Sequence, residues 1–318
     1  MTDCLFEKIL AADKRIRPEA VVTPLERSTA LCRLTGADVH LKWETRQVTG
    51  SFKFRGALNK VRSLSPEDRR KGAITASTGN HGLASSQAAR LEGLDLTIVL
   101  PARVSAEKRR RLAETGTKIL EIGETCEQAE ISARKLALET GRIYISPYND
   151  DEVIAGQGTI GVEIASRLLR LDAVLIPVGG GGLACGVAGF LKAANKSVEI
   201  LGVEPAASAF MAASLEAGRI VEIEEGETIA DAVAGGLEPG SITFSLCREL
   251  LDGLITVGED SIRDAMALLF ERHGQMVEGA GALPLAAVLS EKPRFLGRTV
   301  ALIVSGGNVS PGFFPDRA

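Results

Sequence analysis

The stretch Thr49-Gly50-Ser51-Phe52-Lys53-Phe54-Arg55-Gly56-Ala57-Leu58-Asn59 is where the chain concentrates residues able to do chemistry. Thr49-Gly50-Ser51 reads as a small-residue turn that can cap a helix, and the spacing predicts that helix over Phe52–Val61. Lys53 then lies in its first turn, where free backbone N–H groups already raise the positive potential. The helix dipole gives no reason for a lysine there. Arg55, two residues on, reads as a second cation nearby. Burial and a neighbouring cation both disfavour the ammonium form, and a neutral amine is what Schiff-base chemistry needs. The ordinary alternative is a solvated surface lysine, since unpaired buried lysines are rare.

Three other stretches change the balance. Leu171 to Val178 reads as a buried strand, followed by Gly179-Gly180-Gly181-Gly182 and a helix from Leu183. Glycines between two core elements let backbone N–H groups approach an anion, and the helix start adds partial positive charge. This pattern reads as a phosphate cradle. It lacks both the Gly-Lys-Ser/Thr of a nucleotide loop and the spacing of a dinucleotide fingerprint. Ser77-Thr78-Gly79-Asn80-His81-Gly82 follows a second strand, and its hydroxyls, amide and imidazole suit a carboxylate and a polar ring substituent. A plain helix cap would need only Ser77 or Thr78. Ser305-Gly306-Gly307-Asn308 follows a third strand, and Ser305 can offer a hydroxyl to a ring nitrogen. Ligands of open α/β sheets collect beyond the carboxyl ends of strands, so the three loops and Lys53 define one site.

The elements that must hold these loops alternate. Short apolar strands are expected at 73–77, 96–100, 118–121 and 142–145, with helices between them. The second half repeats the pattern, with strands at 173–178, 199–203 and 300–304. This alternation means two open parallel sheets covered by helices, an α/β fold. One sheet belongs to a small inserted unit, residues 71–148; residues 1–70 and 149–318 form the larger, cofactor-holding unit.

Composition narrows the function classes. The 318 residues suit two domains, and 45% apolar with only 4% aromatic content means a large, mostly aliphatic core. A net charge of −4 with mixed signs argues against nucleic acid and against a polybasic membrane patch. Arg109-Arg110-Arg111 reads as the exposed face of a helix. Five scattered cysteines and three histidines have no metal-ligand spacing, so a reducing compartment is expected and no metal site. Met1 to Leu10 does not read as a signal peptide, and no apolar run has transmembrane length. The expectation is a cytoplasmic protein acting on a small molecule.

Together, Ser51 to Ala57, Ser77 to Gly82, Ala155-Gly156-Gln157-Gly158-Thr159, Gly179 to Gly182 and Ser305 to Asn308 resemble the motifs of fold-type II pyridoxal-phosphate enzymes, the tryptophan synthase β-like fold. Within them the chain looks most like the threonine/serine dehydratase and serine racemase family, over nearly its whole length and in the family's order. The resemblance implies that Lys53 carries pyridoxal 5'-phosphate as a Schiff base and that Phe52 packs on its ring. It implies that Asn80 bonds the ring hydroxyl and Ser305 faces the ring nitrogen. Gly179, Gly180, Gly181 and Gly182, with the N–H of Leu183, would hold the phosphate, and Ser77, Thr78 and His81 would receive the substrate carboxylate. The implied reaction is α,β-elimination from a β-hydroxy amino acid such as L-threonine or L-serine, with Lys53 removing the α-proton, to give a 2-oxo acid and ammonia. A homodimer is the family's habit.

The resemblance has departures. Thr78 stands where racemase-like members carry a hydroxyl able to return a proton, so serine racemisation is the alternative activity, and a specialised substrate such as 3-hydroxyaspartate stays open. Those members also bind a cation through a glutamate and an aspartate; Glu204 matches the first, but Phe210 stands in place of the second, leaving Ser208 and waters as the only support. The chain ends ten residues after Asn308, so no appended regulatory domain is expected. A non-catalytic phosphate-binding protein is the reading from another class; it leaves Lys53, Asn80 and Ser305 without a joint role. Cysteine synthase-like β-replacement is a further one.

Overall fold

The computed structural model describes residues 2–309; Met1 and the tail beyond Val309 that the sequence reading counted lie outside them. The chain opens with α1 (Thr2–Ile16), β1 (Leu25–Arg27), α2 (Thr29–Thr35), β2 (Asp38–Trp43), α3 (Lys53–Ser63) and α4 (Pro66–Lys71). It continues with β3 (Ala73–Ala76), α5 (Asn80–Glu92), β4 (Leu96–Leu100), α6 (Ala106–Ala113), β5 (Lys118–Glu121), α7 (Cys126–Thr140) and β6 (Ile143–Tyr144). Next come α8 (Asp151–Ala165), β7 (Ala173–Pro177), α9 (Gly182–Ala194), β8 (Glu199–Pro205), α10 (Phe210–Ala217), α11 (Ile242–Leu250) and β9 (Gly253–Val257). Last are α12 (Glu259–His273), α13 (Gly279–Ser290), α14 (Lys292–Phe295) and β10 (Thr299–Val304).

The larger sheet has the order β1-β2-β10-β7-β8-β9, and the smaller β5-β4-β3-β6. All neighbours run parallel except β1, which pairs antiparallel at the edge. Strands β4, β7 and β10 are buried at every position, the continuous apolar run of a sheet covered on both faces. Alternate residues feed opposite layers. Val174, Ile176 and Ile303 pack under α1, α8 and α9, while Leu175, Leu302 and Val300 pack under α12 and α13. Around the smaller sheet, Ile98 and Leu100 share a core with Phe54, Leu58 and Val61 of α3, and Val99 packs on Ala129 and Ala133 of α7. Helix α3 therefore leans on the smaller sheet although β2, just before it, pairs with β10 of the larger.

Some elements lay outside the sequence reading. Helix α4 is polar throughout, so it has no apolar period; Ser65 caps it with Pro66 in the first turn. Strand β9 is an edge strand of mixed burial, and α11 leads into it.

A buried ionic cluster locks α3 to its neighbours. Lys42, Glu44, Arg55 and Glu163 are all buried. Arg55 donates to Glu44 at 2.8 and 2.9 Å and to Glu163 at 2.8 and 3.0 Å. Lys42 donates to Glu163 and to the Thr23 carbonyl, and Thr23 donates to Glu44. Burial works to raise the Glu163 carboxyl, but Arg55 and Lys42 outweigh it and hold it at about 2. Because that value lies below the ordinary 4.5, its stabilisation is complete above about 4.5 and is lost as pH falls towards 2. Replacing Arg55 by leucine leaves buried Glu44 without its hydrogen-bonded cation while Glu163 keeps Lys42 and Arg17, and urea unfolding at neutral pH is expected to show a loss of about 3–5 kcal/mol. In the same assay Glu163→Gln should flatten the fall in stability between pH 4.5 and 2. An Arg55→Leu midpoint equal to wild type would mean that the cluster does not anchor the helix.

Candidate active site

Three helices begin at one cleft. Their starts are Lys53 for α3, Asn80 for α5 and Gly182 for α9, and none has a side-chain cap. This corrects one expectation and removes the plain-cap alternative for another loop. Thr49-Gly50-Ser51 does not cap α3: the residue before the helix is Phe52, and Ser51 instead bridges to Gly306 with its hydroxyl buried and unpaired. Nor does Ser77 or Thr78 cap α5; Ser77 Oγ accepts from the Gly79 N–H within its own loop. The open N–H groups of all three helices keep their partial positive charge for a ligand.

The cleft, about 1310 Å³, lies between the two sheets. Phe52, Lys53, Ser77, Thr78, Asn80, His81, Gly179 to Gly182, Leu183 and Ser305, the residues singled out from sequence, all line it. Lys53 Nζ donates to the Pro147 carbonyl at 3.0 Å and stands 5.1 Å from the centre of the Phe52 ring. Its surface keeps an opening to the cleft, yet enough protein surrounds it that burial brings the amine down to about 8, with Glu278 acting in the opposite direction. Arg55 has no part in this, contrary to expectation. Residues two apart on a helix point to opposite sides, and Arg55 turns into the ionic cluster.

The glycine loop is required by packing as well as by any ligand. A Cβ on Gly180 would fall 2.3 Å from the Tyr148 ring, and one on Gly179 would fall 2.7 Å from the Val233 carbonyl oxygen. Gly181 has φ +85°, the left-handed conformation that glycine adopts without strain. Beyond the loop the first turn of α9 carries no acidic side chain. An uncapped helix start behind a close-lying glycine backbone fits a phosphate group. A depressed amine beside it fits an aldehyde, so the residues present fit pyridoxal phosphate.

Asn80 donates to both oxygens of Glu278, at 2.8 and 3.0 Å, and accepts from Asn308 at 2.6 Å. Ser305 sits just beyond β10, and its carbonyl accepts the Phe52 N–H at 3.0 Å, tying the third loop to the lysine helix. His81 is placed less openly than expected. It is buried, its Nε2–H donates to the Ile145 carbonyl at 3.2 Å, and burial with Lys53 nearby drives its pKa down to about 3. It is a neutral ring whose Nδ1 has no partner among the described residues.

Glu278, Tyr148 and Arg111 escaped the sequence reading. An isolated acid opening the small apolar run Glu278-Gly279-Ala280-Gly281-Ala282 was the available signal for the first. Arg111 was read as exposed surface but reaches inward to Asn308. Glu204 is not turned to a cation: its two oxygens accept the N–H groups of Met211 and Ala212 at 2.9 and 2.8 Å, closing the start of α10. Ser208 donates to Glu225 instead of supporting it.

Comparison with known proteins gives the same assignment of fold. The family model described as "Pyridoxal-phosphate dependent enzyme" matches residues 16–306. An L-threonine ammonia-lyase of Thermotoga maritima is 39% identical over 304 residues, 96% of this chain and 75% of that protein. Threonine deaminase isoform 2 of Solanum lycopersicum superposes with a TM-score of 0.92 at 36% identity, covering 98% of this chain and 92% of that one. Maize serine racemase gives 0.92 and 36%, covering 96% and 94%. The family match takes in Lys53, the loop at 77–82 and the glycine loop at 179–182 and reaches the start of the third loop, and the chain belongs to the pyridoxal-phosphate-dependent enzymes.

Proposed function

We propose that this enzyme is a dehydratase, an ammonia-lyase that converts a small β-hydroxy amino acid such as L-threonine or L-serine into a 2-oxo acid and ammonia. The observation that carries the reading is Lys53, an amine at about 8 set among three uncapped helix starts. The similarity to the Thermotoga maritima L-threonine ammonia-lyase along 96% of the chain supports the reaction type.

Gly179 to Gly182 and the Leu183 N–H hold the cofactor's phosphate, Asn80 its ring hydroxyl and Ser305 its ring nitrogen, with Phe52 beside the ring. Bound pyridoxal phosphate supplies an electron sink for the α-carbon of an amino acid. Lys53 moves the proton at that carbon, and an amine near 8 suits proton transfer at neutral pH. Ser77 and Thr78, with the N–H groups opening α5, hold the substrate carboxylate. His81 is deprotonated at working pH and stiffens this loop through Ile145. Ser305 is uncharged and adds no charge at the ring nitrogen, which suits prompt loss of the β-hydroxyl.

Serine racemisation is the second reading, supported by the likeness to maize serine racemase and by Thr78 in the cleft wall. Residues 71–148 act as an inserted unit carrying the carboxylate loop, and the protein works as a cytoplasmic homodimer. Five free cysteines are in keeping with a reducing compartment.

The test is keto-acid release from L-threonine, L-serine, D-serine and threo-3-hydroxyaspartate. Turnover of L-threonine or L-serine is expected, falling about a thousandfold or more in Lys53→Ala. No keto acid from any of the four, in protein that still holds its cofactor, would turn the reading to racemisation, replacement chemistry or a more specialised substrate. Gly180→Ala tests the cradle: its methyl group meets the Tyr148 ring, and titration of the apoprotein with pyridoxal phosphate should show affinity about tenfold weaker or worse. Wild-type affinity would remove the glycine loop from the phosphate site.

A further inference from the structure

We propose that Glu278 is a positioning residue of this site: its carboxylate, together with Asn308, fixes which way round the Asn80 amide sits, and its negative charge stands against Lys53.

An asparagine amide fits its space in either of two orientations, and its neighbours decide which is held. Here the decision starts with two groups that have no choice. The Thr49 carbonyl can only accept, and it lies 2.8 Å from Asn308 Nδ2. The Arg111 guanidinium can only donate, and it lies 2.8 Å from Asn308 Oδ1. Asn308 therefore has one orientation. Its Nδ2 also donates to Asn80 Oδ1 at 2.6 Å, so Asn80 is turned with its Nδ2 towards Glu278. The row of donors runs from Arg111 through Asn308 and Asn80 and ends on Glu278, which must accept. Both carboxylate oxygens lie within reach of that single nitrogen. Two oxygens of one carboxylate at these distances can share a single hydrogen, which leaves the second for a ligand in the cleft.

The ordinary role of an acid at this position would be to cap the helix it precedes. Glu278 is the residue before α13, yet its side chain makes no cap hydrogen bond there. It lies instead against Gly306, where a Cβ would come within 2.2 Å of Oε1.

The charge matters for a second reason. Lys53 from α3, Arg111 from α6 and Asp231 from the turn 231–233 face the carboxylate, and Asn80 comes from α5. Burial raises Glu278 to about 7, Asp231 adds to that, and Asn80, Lys53 and Arg111 pull it down. Burial is also what lowers Lys53, and Glu278 is the charge that resists it. Each group thus helps its opposite to stay charged in a place where water does little.

The inference rests on the cofactor lying beside Asn80, as proposed above. Failure of wild-type apoprotein to take up pyridoxal phosphate would defeat that placement and is read separately. The experiment compares wild type and Glu278→Gln, reconstituted with pyridoxal phosphate, by the absorbance of the bound cofactor as pH is varied through the neutral range. Glutamine keeps an acceptor for Asn80 and removes the charge. Cofactor affinity should stay within about threefold, while the midpoint of the absorbance change moves about one unit to lower pH. The turnover number should fall about tenfold with little change in KM. Asn308→Ala frees the Asn80 amide with the Glu278 charge intact, and it should weaken cofactor binding about tenfold. An unmoved midpoint in Glu278→Gln, or wild-type affinity in Asn308→Ala, overturns the proposal. If Glu278→Gln does not fold, the Asn308→Ala affinity decides it.

Discussion

The cleft depends on one buried guanidinium. Arg55 is two residues from Lys53, and its three nitrogens all donate to buried oxygens of Glu44, Glu163 and Thr159. Removing an ion from water costs several kcal/mol, and such a cluster often does no better for stability than apolar side chains of equal size. What it does is specify rotation. Turning α3 about its axis would take from Glu44 its hydrogen-bonded cation and from Glu163 one of its three. With Arg55 held towards β2 and α8, Lys53 must face the other way, into the cleft. Two glycines bring the helices close enough for this. A Cβ on Gly56 would fall 2.7 Å from the Val153 carbonyl oxygen, and one on Gly156 would fall 2.6 Å from the Arg55 carbonyl oxygen. Helices α3 and α8 therefore meet backbone to backbone, and any side chain there would push Lys53 out of register.

The fold was legible where one local signal decides the structure. Strands such as β4, β7 and β10 are largely apolar runs because both their faces are covered. The glycine loop was legible for a similar reason, since four glycines between core elements admit few readings. The cleft's contents were harder. Sequence places Ser51 where a cap belongs, but whether its hydroxyl turns to the helix or to another loop depends on contacts made from hundreds of residues away. Ser51 reaches Gly306, a residue at the far end of the chain. Arg55 was misjudged because nearness along the chain is not nearness across a helix. Glu278 and Arg111 stayed hidden because each is a common charged residue whose meaning comes from burial and from its partners. Glu204 looked like half of a cation site, and only the backbone of α10 shows that its oxygens are already engaged.

A site that receives a phosphate and a carboxylate needs positive potential, yet full cations close to Lys53 would drive its amine further towards the neutral form and compete for the same anions. The structure separates the two demands. Cationic side chains at the cleft are tied to acids: Lys108 pairs with Asp231 at 2.8 Å, and Arg134 with Glu130 at 2.9 Å and with Glu238. Arg111 is turned to Asn308. What is left facing the ligand space is the partial charge of helix starts, roughly half a unit each and confined to the first turn. Three such ends attract anions without titrating and without the reach of a free lysine. Against that background a single buried carboxylate, Glu278, is enough to influence the charge of Lys53. The absence of side-chain caps on α3, α5 and α9 is therefore part of the site's electrostatics: a capping serine or aspartate at any of them would occupy N–H groups that are open to an anion.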